Sequence, residues 1–96
     1  MEAVIVSITD KEFAVLGAVI NSQYHDGNHP VGNHVWTAEL ADEDEVAGMT
    51  RHQVAGTLAT LQTKGLVYTQ GSGRDGTTCV TEDGYVTYTA FKEWNN

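Results

Sequence analysis

The chain has 96 residues, 41% of them hydrophobic, and sets thirteen acids against five Lys and Arg for a formal charge of −8. That length holds one domain with one modest core, and the composition excludes general disorder. No apolar run approaches the roughly 20 residues of a membrane span. Met1–Asp10 has no basic n-region of a secretory leader, and one cysteine, Cys79, excludes an internal disulfide framework or a Cys-based zinc site, so a cytoplasmic protein is expected.

Ala3–Ile8 is apolar and β-branched and predicts a short strand or extended arm. Thr9 and Glu12 then fit a capping box, with Ile8 and Phe13 at the staple positions. Phe13, Leu16, Gly17 and Ile20 continue at helical spacing, so a first helix is expected over about 10–22. Residues 24–33 read as loop from their Gly, Pro and Asn content. Asn33 is placed to cap a second helix over about 34–43, with Trp36 and Leu40 one turn apart. The acids Asp42–Glu45 oppose the macrodipole at a C-terminus and should end that helix.

The most regular segment follows. Thr50 and Gln53 fit a second capping box, Met49 and Val54 a second staple, and Val54, Leu58 and Leu61 form one apolar stripe. Gly65 sits where a helix-ending glycine belongs, so a third helix is expected over about 51–64. Its other face carries His52, Gly56, Ala59, Thr60 and Thr63 and no acid. After Gly65 the period becomes that of strands: 66–70 and 77–81 are β-prone, and Gly71–Gly76 is a turn cluster carrying Arg74. Thr81 would cap a last helix over about 82–94, with Tyr88, Phe91 and Trp94 spaced by three.

The order helix, loop, helix, turn, helix, hairpin, helix resembles a winged helix-turn-helix domain, and in particular the DNA-binding part of MarR-type regulators. "MTRHQVAGTLATLQTKGLV" is similar to that family's recognition helix running into the wing. "GRDG" resembles the wing tip, "CVTEDG" the run that leaves the wing, and "WTAELA" the family's helix 2. The resemblance covers about residues 33–90. It implies an α+β winged-helix domain over 1–96 that binds double-stranded DNA, in the manner of a transcriptional regulator. The chain departs from the family in a longer, more acidic turn before the third helix and in Gly56, where such regulators often carry Arg. It also lacks the long extra helices through which they dimerise.

The charge distribution points the same way. Residues 1–49 hold one lysine against nine acids; residues 50–74 hold Arg51, Lys64 and Arg74 and no acid; residues 75–96 hold one lysine against four acids. The one cationic stretch is thus the third helix and its wing. There Arg51 would reach a phosphate or guanine, Gln53 an adenine, and His52 either. Thr50 and the helix N-terminal N–H groups suit a phosphate. Thr60, Thr63 and Lys64 would hold the backbone, and Arg74 would enter the minor groove. A second reading gives the acidic residues 1–49 the role of docking a basic protein partner, as a phage or accessory protein could.

Other features carry less. His25, Asp26, His29 and His34 could ligate Zn²⁺ or Ni²⁺, but they match no closed metal motif and read as polar loop residues. Cys79 has no cationic neighbour in sequence to make it a reactive thiol. Gly71-x-Gly73-x-x-Gly76 has dinucleotide-loop spacing but lies inside a hairpin rather than between a strand and a helix. With no catalytic constellation and no cofactor motif, an enzyme is not expected. A homodimer is expected, built from the Ala3–Ile8 arm pairing as an edge strand, from the terminal helix, or from both.

Overall fold

The computed structural model describes residues 3–22, 25, 27–71 and 75–94. Helix α1 (Asp10–Ile20) is the centre of the molecule. Thr9 and Glu12 close the expected capping box, the Glu12 amide donating to Thr9 Oγ1 at 3.2 Å and the Thr9 amide to Glu12 Oε1 at 2.8 Å. Val15, Leu16, Ala18 and Val19 are fully buried, so α1 is covered on most sides rather than along one stripe.

The expected second α-helix is replaced. Val35–Trp36 form a short strand, β1, and 3-10 segments follow over Thr37–Asp42 and Asp44–Val46. Two causes are visible. Val35 and Trp36 pair with Thr78 and Thr77, and the Thr37 amide bonds the Gly76 carbonyl at 3.0 Å, so the β-prone start of the segment is drawn into the sheet. The acids that follow would sit at the negative end of a longer helix, whereas short 3-10 turns build little dipole. Leu40 and Val46 still deliver their side chains to the core.

Helix α2 (Arg51–Thr63) is the expected third helix, ending one residue sooner. Thr50 and Gln53 form its capping box, and Val54, Leu58 and Leu61 are buried. Gly65 takes φ of +77°, its amide bonding the Gln62 carbonyl and the Leu66 amide the Leu61 carbonyl, a Schellman ending that turns the chain directly into the wing. Strands β2 (Val67–Gln70) and β3 (Thr77–Val80) make the hairpin, and β1 adds to it, giving an antiparallel sheet ordered β1-β3-β2.

Helix α3 (Glu82–Trp94) returns across α1. Thr81 Oγ1 accepts from the Gly84 amide and donates to the Gly65 carbonyl at 2.7 Å, so one hydroxyl joins the start of α3 to the end of α2. A Cβ at Gly84 would lie 2.0 Å from the Leu66 carbonyl oxygen, so the helix rests there backbone on backbone. Phe13 is stacked against both Tyr88 and Phe91, with ring centroids 4.7 and 4.6 Å apart.

The arm before α1 is extended but pairs with no strand among the described residues. It lies on α3 instead: the Val4 amide donates to Asp83 Oδ1 at 2.8 Å and the Val6 amide to Thr87 Oγ1 at 3.0 Å. Of the two expected forms, strand or extended arm, it is the arm that is seen, because side chains of a helix satisfy alternate amides that a sheet would otherwise use. The whole is an α+β winged-helix fold.

Candidate nucleic-acid interface

Helix α2 buries only its Val54–Leu58–Leu61 stripe, and the rest of its surface faces outward. Arg51, His52, Gln53, Ala55, Gly56, Ala59, Thr60, Gln62 and Thr63 are all exposed, and none is acidic. A Cβ at Gly56 would meet nothing within 4 Å, so the middle of this face is flat and open. Thr57, Thr60 and Thr63 each donate to the carbonyl four residues earlier, so their hydroxyl protons are already engaged.

The expected contact residues divide by what they already hold. Gln53 and Thr50 are engaged with each other in the capping box, which fixes the helix start. Arg51 folds back: Nη1 donates to the Ala38 carbonyl at 3.3 Å, and Nη2 stands 3.6 Å from Asp42 Oδ1, both side chains remaining mostly exposed. His52 is exposed beside it.

Lys64 does not join the outward face. Its ammonium donates to Glu12 Oε1 at 2.9 Å and to the Ser7 carbonyl at 3.1 Å, clamping the end of α2 to α1 and the arm. Burial pushes the Glu12 carboxyl up, but the hydrogen bond from Lys64, the hydrogen bonds from Thr9 and the lysine charge together outweigh it, and the net pKa is lowered. Arg74, expected at the wing tip, lies outside the described residues; the strands that carry it, β2 and β3, are described.

Spacing along the chain missed one residue. Lys11, on the first turn of α1, borders with Thr9 a shallow hollow of about 450 Å³ whose other wall is Gln53, Gly56 and Thr60 of α2. It adds an exposed cation beside the acid-free face. No signal in the sequence linked it to a helix forty residues away.

Five of the thirteen acids collect before α2. Glu39, Asp42, Glu43, Asp44 and Glu45 occupy the 3-10 segments before α2, and Glu43 feels them all: burial first, then Glu45, Asp44, Glu39 and Asp42, raise its pKa. A different exposed patch lies on the outward side of the sheet. Trp36 and Tyr68 are half exposed there, and His34 meets Tyr68 edge-on at 6.3 Å while bonding Thr77 Oγ1 at 3.1 Å.

The loop imidazoles are held apart. His25 is buried with Nε2 donating to the Val19 carbonyl at 2.6 Å; His29 packs against Tyr85 and accepts from the Val31 amide; His34 is on the sheet. Asp26 lies outside the described residues, among which no three metal-binding side chains cluster. Cys79 is buried in β3, and burial raises its thiol pKa, which disfavours the thiolate. Among the described residues no helix is long and apolar enough to cross a membrane.

No protein-family profile and no curated protein matches the chain. Solved structures do. It is similar to the type III plasmid segregation protein TubR at a TM-score of 0.59 and 16% identity, over 97% of this chain and 94% of that one. TubR from the Bacillus thuringiensis serovar israelensis plasmid pBtoxis, bound to 24 bp of tubC, matches at 0.59 and 17%, over 93% of this chain and 98% of that one. A TubR mutant matches at the same score. At such low identity these likenesses show the fold alone, an α+β winged-helix arrangement.

Proposed function

We propose that this chain binds double-stranded DNA, with the exposed face of α2 in the major groove and the 67–80 hairpin beside it as a wing. One observation carries the reading: on a chain of net charge −8, the most exposed helix face holds no acid from Arg51 to Thr63. The contact set is Thr50, Arg51, His52, Gln53, Thr60 and Thr63, joined by Arg74 of the wing and Lys11 of α1. Lys64 acts from within, fixing the helix. The TubR structure bound to 24 bp of tubC supports DNA as the partner. The TubR likenesses favour a role in DNA segregation, and the MarR-type motifs one in transcription; both use the same face.

Titrating labelled duplex from the neighbourhood of its own gene, at low salt, tests this. Each phosphate neutralised adds about −0.9 to the log–log salt slope. Contacts from Arg51, Arg74 and Lys11 therefore predict a slope of roughly −2 to −3 per copy. Arg51→Ala should weaken binding about tenfold, a loss of one good base or phosphate contact. Binding absent at micromolar protein, or unchanged in Arg51→Ala/Arg74→Ala, would overturn the reading.

A second reading is favoured by the five acids gathered before α2: a docking surface for a basic protein partner. Asp42→Asn separates the two. It frees Arg51 and removes a repelling charge, so it strengthens binding to DNA and weakens binding to a basic partner.

A further inference from the structure

The arm and α3 together form a surface that the DNA reading leaves unused. Asp83 and Thr87 hold the arm along the helix, and between them opens a groove of about 290 Å³. Its walls are Ile5, Val6 and Ile8 from the arm and Ala90, Phe91 and Trp94 from α3. The rim is conspicuously apolar: Val4 is 58% exposed, Ile5 64% and Trp94 86%. Trp94, at the end of the groove it borders, is the most exposed large apolar side chain among the described residues.

We propose that this surface joins two copies of the chain about a two-fold axis, the Trp94 indole of each seated in the arm–α3 groove of the other. Three arguments favour a second copy over another occupant. The surface holds both halves of the contact, a projecting indole and a groove able to take an aromatic ring, which is the self-complementarity an isologous pair requires. The area fits: Val4, Ile5 and Trp94 expose on the order of 400 Å² of apolar surface per copy, about half of the roughly 800 Å² a stable interface buries on each side. Ile8, Ala90 and Phe91, together with the arm backbone, lie next to them to supply more. The charge fits too. Two chains of −8 repel, yet here Lys92 lies beside Glu93, and the Asp83 carboxylate already accepts a hydrogen bond from the arm, while none of the acids of the 39–45 segment lines the groove. Ala90, on the same side of α3 as Trp94, lets the two helices approach closely. The contact is made by side chains of an arm laid on a helix, not by pairing of edge strands.

The proposal does not depend on DNA, and its test uses the full chain without nucleic acid. Sedimentation equilibrium across the micromolar range should give twice the 10.4 kDa chain mass. Trp94→Ala and, separately, Ile5→Lys should each raise the dimer dissociation constant at least tenfold with an unchanged far-ultraviolet circular dichroism spectrum; both positions are exposed, so the fold has no need of them. In a Trp36→Phe background, which leaves Trp94 as the sole tryptophan, emission should shift to the blue as concentration rises. A chain of 10.4 kDa at all concentrations up to 100 µM overturns the proposal, and so does a dimer whose dissociation constant is the same in both variants. Loss of DNA binding with the dimer intact would instead count against the DNA reading alone.

Discussion

Lys64 closes α2 inward, and its chemistry is set by a carboxylate fifty-two residues away in sequence. Glu12 is buried, and one of its oxygens has no partner among the described residues, so the lysine is what keeps that charge tolerable. Removing it as Lys64→Met should cost about 2 kcal/mol, less than a fully buried pair because the ammonium is partly solvated. Glu12→Gln added to it should restore much of the loss. The Glu12 pKa is lower folded than unfolded, so its contribution is full above the unfolded value and is lost as pH falls through the folded one. Glu43 has the opposite sign. Its folded pKa is raised, so it favours the fold in acid and that contribution is lost as pH rises. Urea titrations should therefore find Glu43→Gln more stable than the parent at pH 7, with the gap closing toward pH 4; a gap independent of pH would contradict the assigned cause. None of this was legible in the sequence. Lys64 at the end of a helix reads as a cation for the DNA backbone, and only the packing of α1 on α2 brings Glu12 to it.

Among the elements, those announced by local chemistry emerged where their signals lay. Thr9 with Glu12 and Thr50 with Gln53 act within one turn, and Gly65 needs only its own backbone freedom, so α1, α2 and the turn into the wing could be read directly. The segment after Asn33 could not. Val35 and Trp36 become a strand because Thr77 and Thr78 offer them a ladder, and that partner is some forty residues away. The arm shows the same limit: its β-branched run announces extended backbone but not that Asp83 and Thr87 will hold it. Two glycines of similar appearance in sequence are predicted to behave in opposite ways. Gly56→Ala meets open space on an exposed helix and should stabilise by about 0.5–1 kcal/mol. Gly84→Ala drives a methyl group into the Leu66 carbonyl and should destabilise by more than about 2 kcal/mol. Thermal unfolding of the two variants measures both, each 1 kcal/mol moving the midpoint by about 4–8 °C in a domain of this size.

For the whole molecule, the distribution of charge says more than its net value. Arg51, Lys64 and Arg74 follow one another in sequence without an acid between them, but Lys64 turns inward, and Lys11 of α1 stands beside the exposed face of α2. The backbone contact of Gly84 on Leu66, with the Thr81 hydroxyl bridging to Gly65, has a consequence at this scale. It welds the helix proposed to join two copies to the end of the helix proposed to read DNA, through backbone contact and one short hydroxyl. The separation of the two reading heads in a pair is then a fixed length, like the jaws of a calliper. A Cα body of 33 × 28 × 26 Å is of the size of one DNA turn, about 34 Å. One base pair inserted between two half-sites moves the second by about 3.4 Å and by roughly a tenth of a turn. Affinity measured over a series of spacings should accordingly peak sharply at one value and fall to that of a single half-site one base pair to either side.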